Sequence, residues 1–165
     1  MKDKTSKNVH DSFVGEAKAY QRLLEYAKKA DEEGFPQIAH LFRAIASSES
    51  VHSRRHFGLL ESTKDTQTNM ENAFQQENAV NGVYYPKMIQ EAEEEGEKAA
   101  AIVFTQAKDV EAVHMKLYRK ALEHFTEEEF VEYYLCEVCG YIHENGIPDA
   151  CPVCNASKDK FTKID

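Results

Sequence analysis

The sequence predicts a mainly helical protein: four long helices in one bundle, followed by a small β- and turn-rich domain held together by metal. Three observations predict it. Apolar residues recur at three- and four-residue spacing from Asp11 to His124, in segments rich in Ala, Leu, Glu, Lys and Gln. The two halves of that region repeat each other. All four cysteines of the 165-residue chain follow it, as two Cys-x-x-Cys pairs.

The helical pattern breaks at "EEGFP" (32–36), "STKDTQT" (62–68) and "EEEGE" (93–97), which gives helices over about 8–31, 36–61, 67–94 and 97–124. Pro36 stands where a first helical turn accepts proline, and Gly34 and Gly96 mark helix ends. Glu32-Glu33-Gly34 is followed by Ala39, Phe42 and Glu49, and Glu94-Glu95-Gly96 by Ala101, Phe104 and Glu111, at matching offsets. This is the pattern of a duplicated helical hairpin. After His124 the composition changes to short β-like and turn-like pieces with Gly140, Gly146, Pro148 and Pro152. The domain boundary is expected near 126–133, with a helical domain over 1–130 and a cysteine domain over 131–165. A piece of about 35 residues buries too little apolar area to fold unaided, so metal is needed for its structure.

The net charge of −9 excludes nucleic acid as a partner, because phosphate binding needs a basic stripe. The opening "MKDKTSKNVHDSF" has no apolar signal core, and no run approaches the ~20 apolar residues of a membrane span. A soluble, cytoplasmic protein is expected. In that reducing compartment two Cys-x-x-Cys pairs are explained by metal rather than by disulfides.

The second helix of each hairpin carries the same motif, Glu49-x-x-His52 and Glu111-x-x-His114. Residues three apart share a helix face and can converge on one centre. The first helix of each hairpin offers a partner carboxylate, Glu16 in "FVGEAKAY" and Glu77 in "FQQENAV". Four carboxylates balance the charge of two divalent ions, and two imidazoles help fill their coordination shells. A lone Glu-x-x-His in an acidic helical chain is commonly a surface pair. Two at equivalent repeat positions, each with an upstream Glu and flanking apolar residues, point to a dinuclear metal site. His10, His40, His56, His124 and His143 lack such pairing and are read as surface or packing residues. Cys136, Cys139, Cys151 and Cys154 specify a tetrahedral tetrathiolate, for which spacing alone allows zinc, as a structural staple, or iron.

These two motif sets carry a resemblance. "YYLCEVCGYIHENGIPDACPVCNASKDKF" resembles a rubredoxin module, the helical part with Glu16, Glu49, His52, Glu77, Glu111 and His114 resembles a ferritin-like di-iron domain, and in this order they resemble rubrerythrins. The resemblance implies a non-haem di-iron peroxidase that reduces hydrogen peroxide to water in oxidative stress defence. Its electrons would enter through an iron held by the four cysteines, from a rubredoxin or an NAD(P)H-dependent reductase. Glu49 and Glu111 would bridge the irons, with Glu16 and His52 on one and Glu77 and His114 on the other. Tyr85 matches a family tyrosine near the site.

One position departs from the family pattern. Val80 stands where a second glutamate commonly follows the helix-three ligand, so His52 is expected to stay bound or solvent to take the vacant place. Asn155 replaces the usual glycine after the last cysteine and tolerates the same left-handed backbone. The competing readings are ferrous iron oxidation or storage, and an electron carrier with a structural zinc ribbon.

A ferritin-like bundle needs a crossover along its whole length between helices two and three. About 37 Å of helix needs about 11 extended residues, and the sequence leaves about 8 to 10. A homodimer that exchanges helical hairpins is therefore expected.

Overall fold

The computed structural model describes residues 1–60, 63–125 and 130–165. The chain divides into two compact units, Met1–Lys64 and Asp65–Asp165. The first unit is a helical hairpin of α1 (Asp3–Glu32) and α2 (Pro36–Leu59). Its turn closes on Gly34 at φ 80°, with the Phe35 N–H donating to the Ala30 carbonyl at 2.8 Å. Only glycine adopts that left-handed backbone without a Cβ penalty. Buried Ala27, Ala30 and Ala39 let the two backbones approach closely, and Phe42 packs against them.

The second unit repeats the hairpin and adds the cysteine module. α3 (Thr66–Ala79) is capped by Asp65, whose carboxylate accepts from the Thr68 N–H at 2.9 Å. The sequence predicts one unbroken third helix to residue 94, and here the structure differs. A π-helical stretch, Val80–Tyr84, separates α3 from α4 (Tyr85–Glu94). Pro86 explains the break, since proline has no N–H to donate and its ring crowds the carbonyl four residues back, at Gly82. The widened turn closes instead with the Tyr85 N–H on the Val80 carbonyl. The Asn81 side chain donates to the Lys108 carbonyl and ties this stretch to α5 (Lys98–Glu123). The turn before α5 copies the first hairpin: Gly96 sits at φ 76°, and the Glu97 N–H donates to the Ala92 carbonyl at 2.8 Å. The duplication legible in the sequence is a duplication of hydrogen bonds.

The cysteine module is a three-stranded antiparallel sheet of order β2-β1-β3, from β1 (Tyr133–Cys136), β2 (Ile142–Glu144) and β3 (Phe161–Ile164). It packs on α5 within the second unit, where Lys120 Nζ bridges both carboxylate oxygens of Glu144 at 3.0 Å. Residues 126–129, on which much of the expected domain boundary falls, lie outside the described residues. No helix among the described residues is long and apolar enough to cross a membrane.

Candidate metal centres

The sulfur site is built from two matching turns. In each Cys-x-x-Cys the residue after the second cysteine returns its N–H to the first cysteine's carbonyl, Gly140 to Cys136 and Asn155 to Cys151, both at 2.9 Å. Both residues adopt the left-handed backbone this needs, at φ 83° and 59°. Asn155 thus serves where glycine would. The turns bring all four Sγ atoms within 4.8 Å of one another, with no disulfide. Cys136 and Cys154 are 3.7 Å apart, and Cys139 and Cys151 3.6 Å. A tetrahedron with metal–sulfur bonds of about 2.3 Å has edges of about 3.8 Å, so the cradle fits such an ion. Burial pushes the Cys139 and Cys154 thiols up. At Cys151 burial pulls the same way, but N–H groups of Cys154 and Val153 turned toward the sulfur bring it down. Four thiols packed this closely ionise together only when a cation shares the space.

The helical donors gather as two sets of three, one in each unit. In the first, Glu16 of α1 faces Glu49 and His52 of α2, with the donor atoms within 4.8 Å of one another. His52 Nδ1 lies 3.4 Å from Glu49 Oε2. The Glu16 carboxyl is held above the usual range, chiefly by its hydrogen bond to Glu49, and Glu49 is held below it by the same bond. In the second set, Glu77 of α3 faces Glu111 and His114 of α5. His114 Nδ1 lies 2.9 Å from Glu111 Oε2 and 3.7 Å from Glu77 Oε1. Burial, then the neighbouring Glu111 carboxyl, raises Glu77 to about 7. Carboxylates crowded until one keeps its proton form a site that a divalent cation would relieve. The donor chemistry, two carboxylates and one imidazole in each set, fits iron.

Tyr85 opens α4 directly after the π-helical stretch, its ring 6.4 Å from Phe104. Burial and the Glu111 and Glu77 charges raise its hydroxyl, which marks its nearness to the second set. Val80 begins the π-helical stretch one turn beyond Glu77 and offers no donor. Sequence reasoning passed over His56, whose Nδ1 is buried without a hydrogen-bond partner among the described residues. It lies one turn beyond His52 and acts on the charge of Glu16. Its seven-residue spacing from Glu49 was the available signal.

Two family models match the chain: rubrerythrin over residues 7–122, and the rubredoxin-like domain of rubrerythrin over 134–162. The chain belongs to the rubrerythrin family. It is 32% identical to a nigerythrin of Nitratidesulfovibrio vulgaris, over 96% of this chain and 85% of that protein. It is 35% identical to a rubrerythrin of Porphyromonas gingivalis, over 92% and 85%. A solved structure described as the fully reduced, all-ferrous state of nigerythrin aligns over 97% of this chain and 86% of that one, with a TM-score of 0.60 and 32% identity. The nigerythrin sequence match runs to 172 positions, whereas 96% of this chain is about 158 residues, so about 14 positions there have no counterpart here. Rubrerythrins carry a di-iron site and a rubredoxin-like Fe(Cys)4 centre, and this chain presents donor sets for both.

Proposed function

We propose that this rubrerythrin is a peroxidase that reduces hydrogen peroxide to water with electrons delivered through the tetrathiolate iron. The observation that carries the reading is the seat of the cysteine module. It packs on α5, the helix of Glu111 and His114, so closely that a Cβ built on Gly140 would lie 4.0 Å from Val110 Cγ1. Gly140 follows the ligand candidate Cys139, and Val110 precedes Glu111. Iron storage has no use for a one-electron centre placed there.

In this reading residues 131–165 form the electron-input domain and residues 1–130 the catalytic one. Cys136, Cys139, Cys151 and Cys154 would hold one iron. Glu16, Glu49, His52, Glu77, Glu111 and His114 would hold the di-iron centre. When bound, that centre would supply the two electrons that peroxide reduction needs. The chain's own task is then to place peroxide and manage two protons, since H2O2 with two electrons and two protons gives two waters. Without a cation, burial and the Glu111 carboxyl raise Glu77 to about 7, and as a metal ligand it would give that proton up, so the two protons come from solvent. The Tyr85 hydroxyl, kept protonated by burial and by the two neighbouring carboxylates, orients the bound oxidant. With Val80 providing no carboxylate, His52 would stay bound or solvent would take the vacant place. A rubredoxin or an NAD(P)H-dependent reductase in the cytoplasm supplies the electrons.

The test reduces the iron-loaded protein without oxygen, adds stoichiometric hydrogen peroxide and follows the red ferric-tetrathiolate absorbance by stopped flow. Rapid return of the colour, far slower with oxygen and absent in Glu111→Ala, supports the reading. A coloured protein that peroxide leaves reduced, or a colourless one that holds zinc, overturns it.

A further inference from the structure

We infer that His56 is a positioning residue of the first metal site, its Nδ1–H directed at the carboxylate of Glu16 when that carboxylate holds a cation. The inference rests on the di-iron reading above and adds to it a residue outside the six donors. Every group it uses lies within the first compact unit, Met1–Lys64.

His52 and His56 follow Glu49 at three- and seven-residue spacing, so His56 shares the face of α2 that presents the donors. α1 packs along this stretch, where the Phe13 and Phe57 rings meet with centroids 5.2 Å apart, one turn from Glu16. In that register a charge on His56 acts on Glu16. The Nδ1 of His56 is buried and has no hydrogen-bond partner among the described residues. A histidine in the last turn of a helix ordinarily serves the helix dipole as a surface cation, a role that needs no buried nitrogen. A nitrogen turned inward without a partner is disfavoured unless a bond becomes available to it in the working state of the protein.

Glu16 is the acceptor that offers this bond. Without a cation its carboxyl is engaged by Glu49. A cation held by the two takes the place of that bond, and a carboxylate bound to metal through one oxygen offers the other as an acceptor. Among the described residues of this unit, His56 Nδ1 is the one buried side-chain nitrogen or oxygen without a partner, and so the donor left to use it. Its role is outside the ligand shell: the donor atoms of Glu16, Glu49 and His52 lie within 4.8 Å of one another, and His56 is not among them. The duplicated hairpin carries the same provision. The position equivalent to His56 is Tyr118, seven residues after Glu111. Tyr118 lines a cavity together with Glu77 and His114, so this position faces the donors there too, again with a ring that bears a hydrogen-bonding group.

Two full-length variants test this. His56→Leu removes the donor and keeps the bulk, and His56→Asn keeps an N–H near the place of Nδ1. Both are equilibrated beside wild type against graded free ferrous iron without oxygen, and iron bound beyond the tetrathiolate centre is counted. The expected result is that His56→Leu needs about 10- to 100-fold more free iron to fill its weaker site, while His56→Asn stays close to wild type. Packing alone predicts the reverse order, since leucine suits an apolar setting and asparagine does not. Without iron, His56→Leu is expected to melt no lower than wild type, because it deletes an unpaired buried nitrogen. A leucine variant that melts lower or fails to fold marks a packing role and overturns the inference. A leucine variant that binds iron as wild type does, or an asparagine variant no better than the leucine one, beside a wild type that holds two such irons per chain, overturns the inference alone. Wild type that binds none overturns the di-iron reading and the inference together.

Discussion

At the scale of single residues, the candidate donors are legible because their chemistry constrains spacing: a Glu and a His three apart share a helix face, and two Cys-x-x-Cys pairs can share a metal. What spacing does not carry is protonation. Glu77 is an acid whose folded form keeps its proton up to about 7 because burial, and then Glu111, disfavour its charge. In the unfolded chain it releases that proton near 4.5. Between those values the folded, metal-free protein binds more protons than the unfolded one, so its stability is fully present below about 4.5 and falls as pH rises through about 7. Thermal melts of iron-free protein across that window are expected to show the midpoint dropping toward neutral pH, and Glu77→Gln to flatten the dependence. A second prediction concerns His52. His52→Ala is expected to cost iron on desalting, because it removes the one imidazole of its donor set, and metal analysis of the variant checks it.

At the scale of elements, the duplicated hairpin was readable from apolar periodicity and from the two Glu-Glu-Gly turns, and its hydrogen bonds repeat at Gly34 and Gly96. The π-helical stretch was not readable as such. Helical periodicity continues on both sides of it, and only Gly82 and Pro86 hint that one hydrogen bond must be skipped. Its place beside Glu77 and Tyr85 makes it part of the site's geometry rather than a flaw in the helix. The turn glycines give the prediction proper to this scale. Gly96→Ala forces a Cβ into the left-handed backbone at φ 76°, where the surrounding space is open, so strain alone acts. The expected cost is about 1 kcal/mol, or a fall of about 2–4 °C in the melting midpoint, with iron binding retained. Asn155→Ala at φ 59° costs a similar amount, read as easier loss of tetrathiolate colour on heating.

At the scale of the whole molecule, the order of the parts was legible in the two motif sets. The seat of the cysteine module was beyond sequence reasoning altogether, since nothing in a Cys-x-x-Cys pattern says which helix it will lie against. That seat depends on a small set of contacts between the module and α5, of which the Lys120 bridge to Glu144 is one polar tie and Gly140 against Val110 one apolar approach. Electron transfer through protein weakens steeply with distance, so loosening this seat should slow the input without touching either set of metal donors. Glu144→Lys replaces the bridge with like-charge repulsion against Lys120 at the surface, where a lost ion pair costs about 1 kcal/mol or less of stability. Both iron contents are therefore expected to remain at wild-type levels. Reoxidation of the tetrathiolate iron by peroxide is expected to slow several-fold, and more at low salt than at high, because screening weakens the new repulsion. Stopped-flow traces at two ionic strengths measure both effects, and a rate equal to wild type at each would mean that electrons reach the di-iron site by another approach than this face of α5.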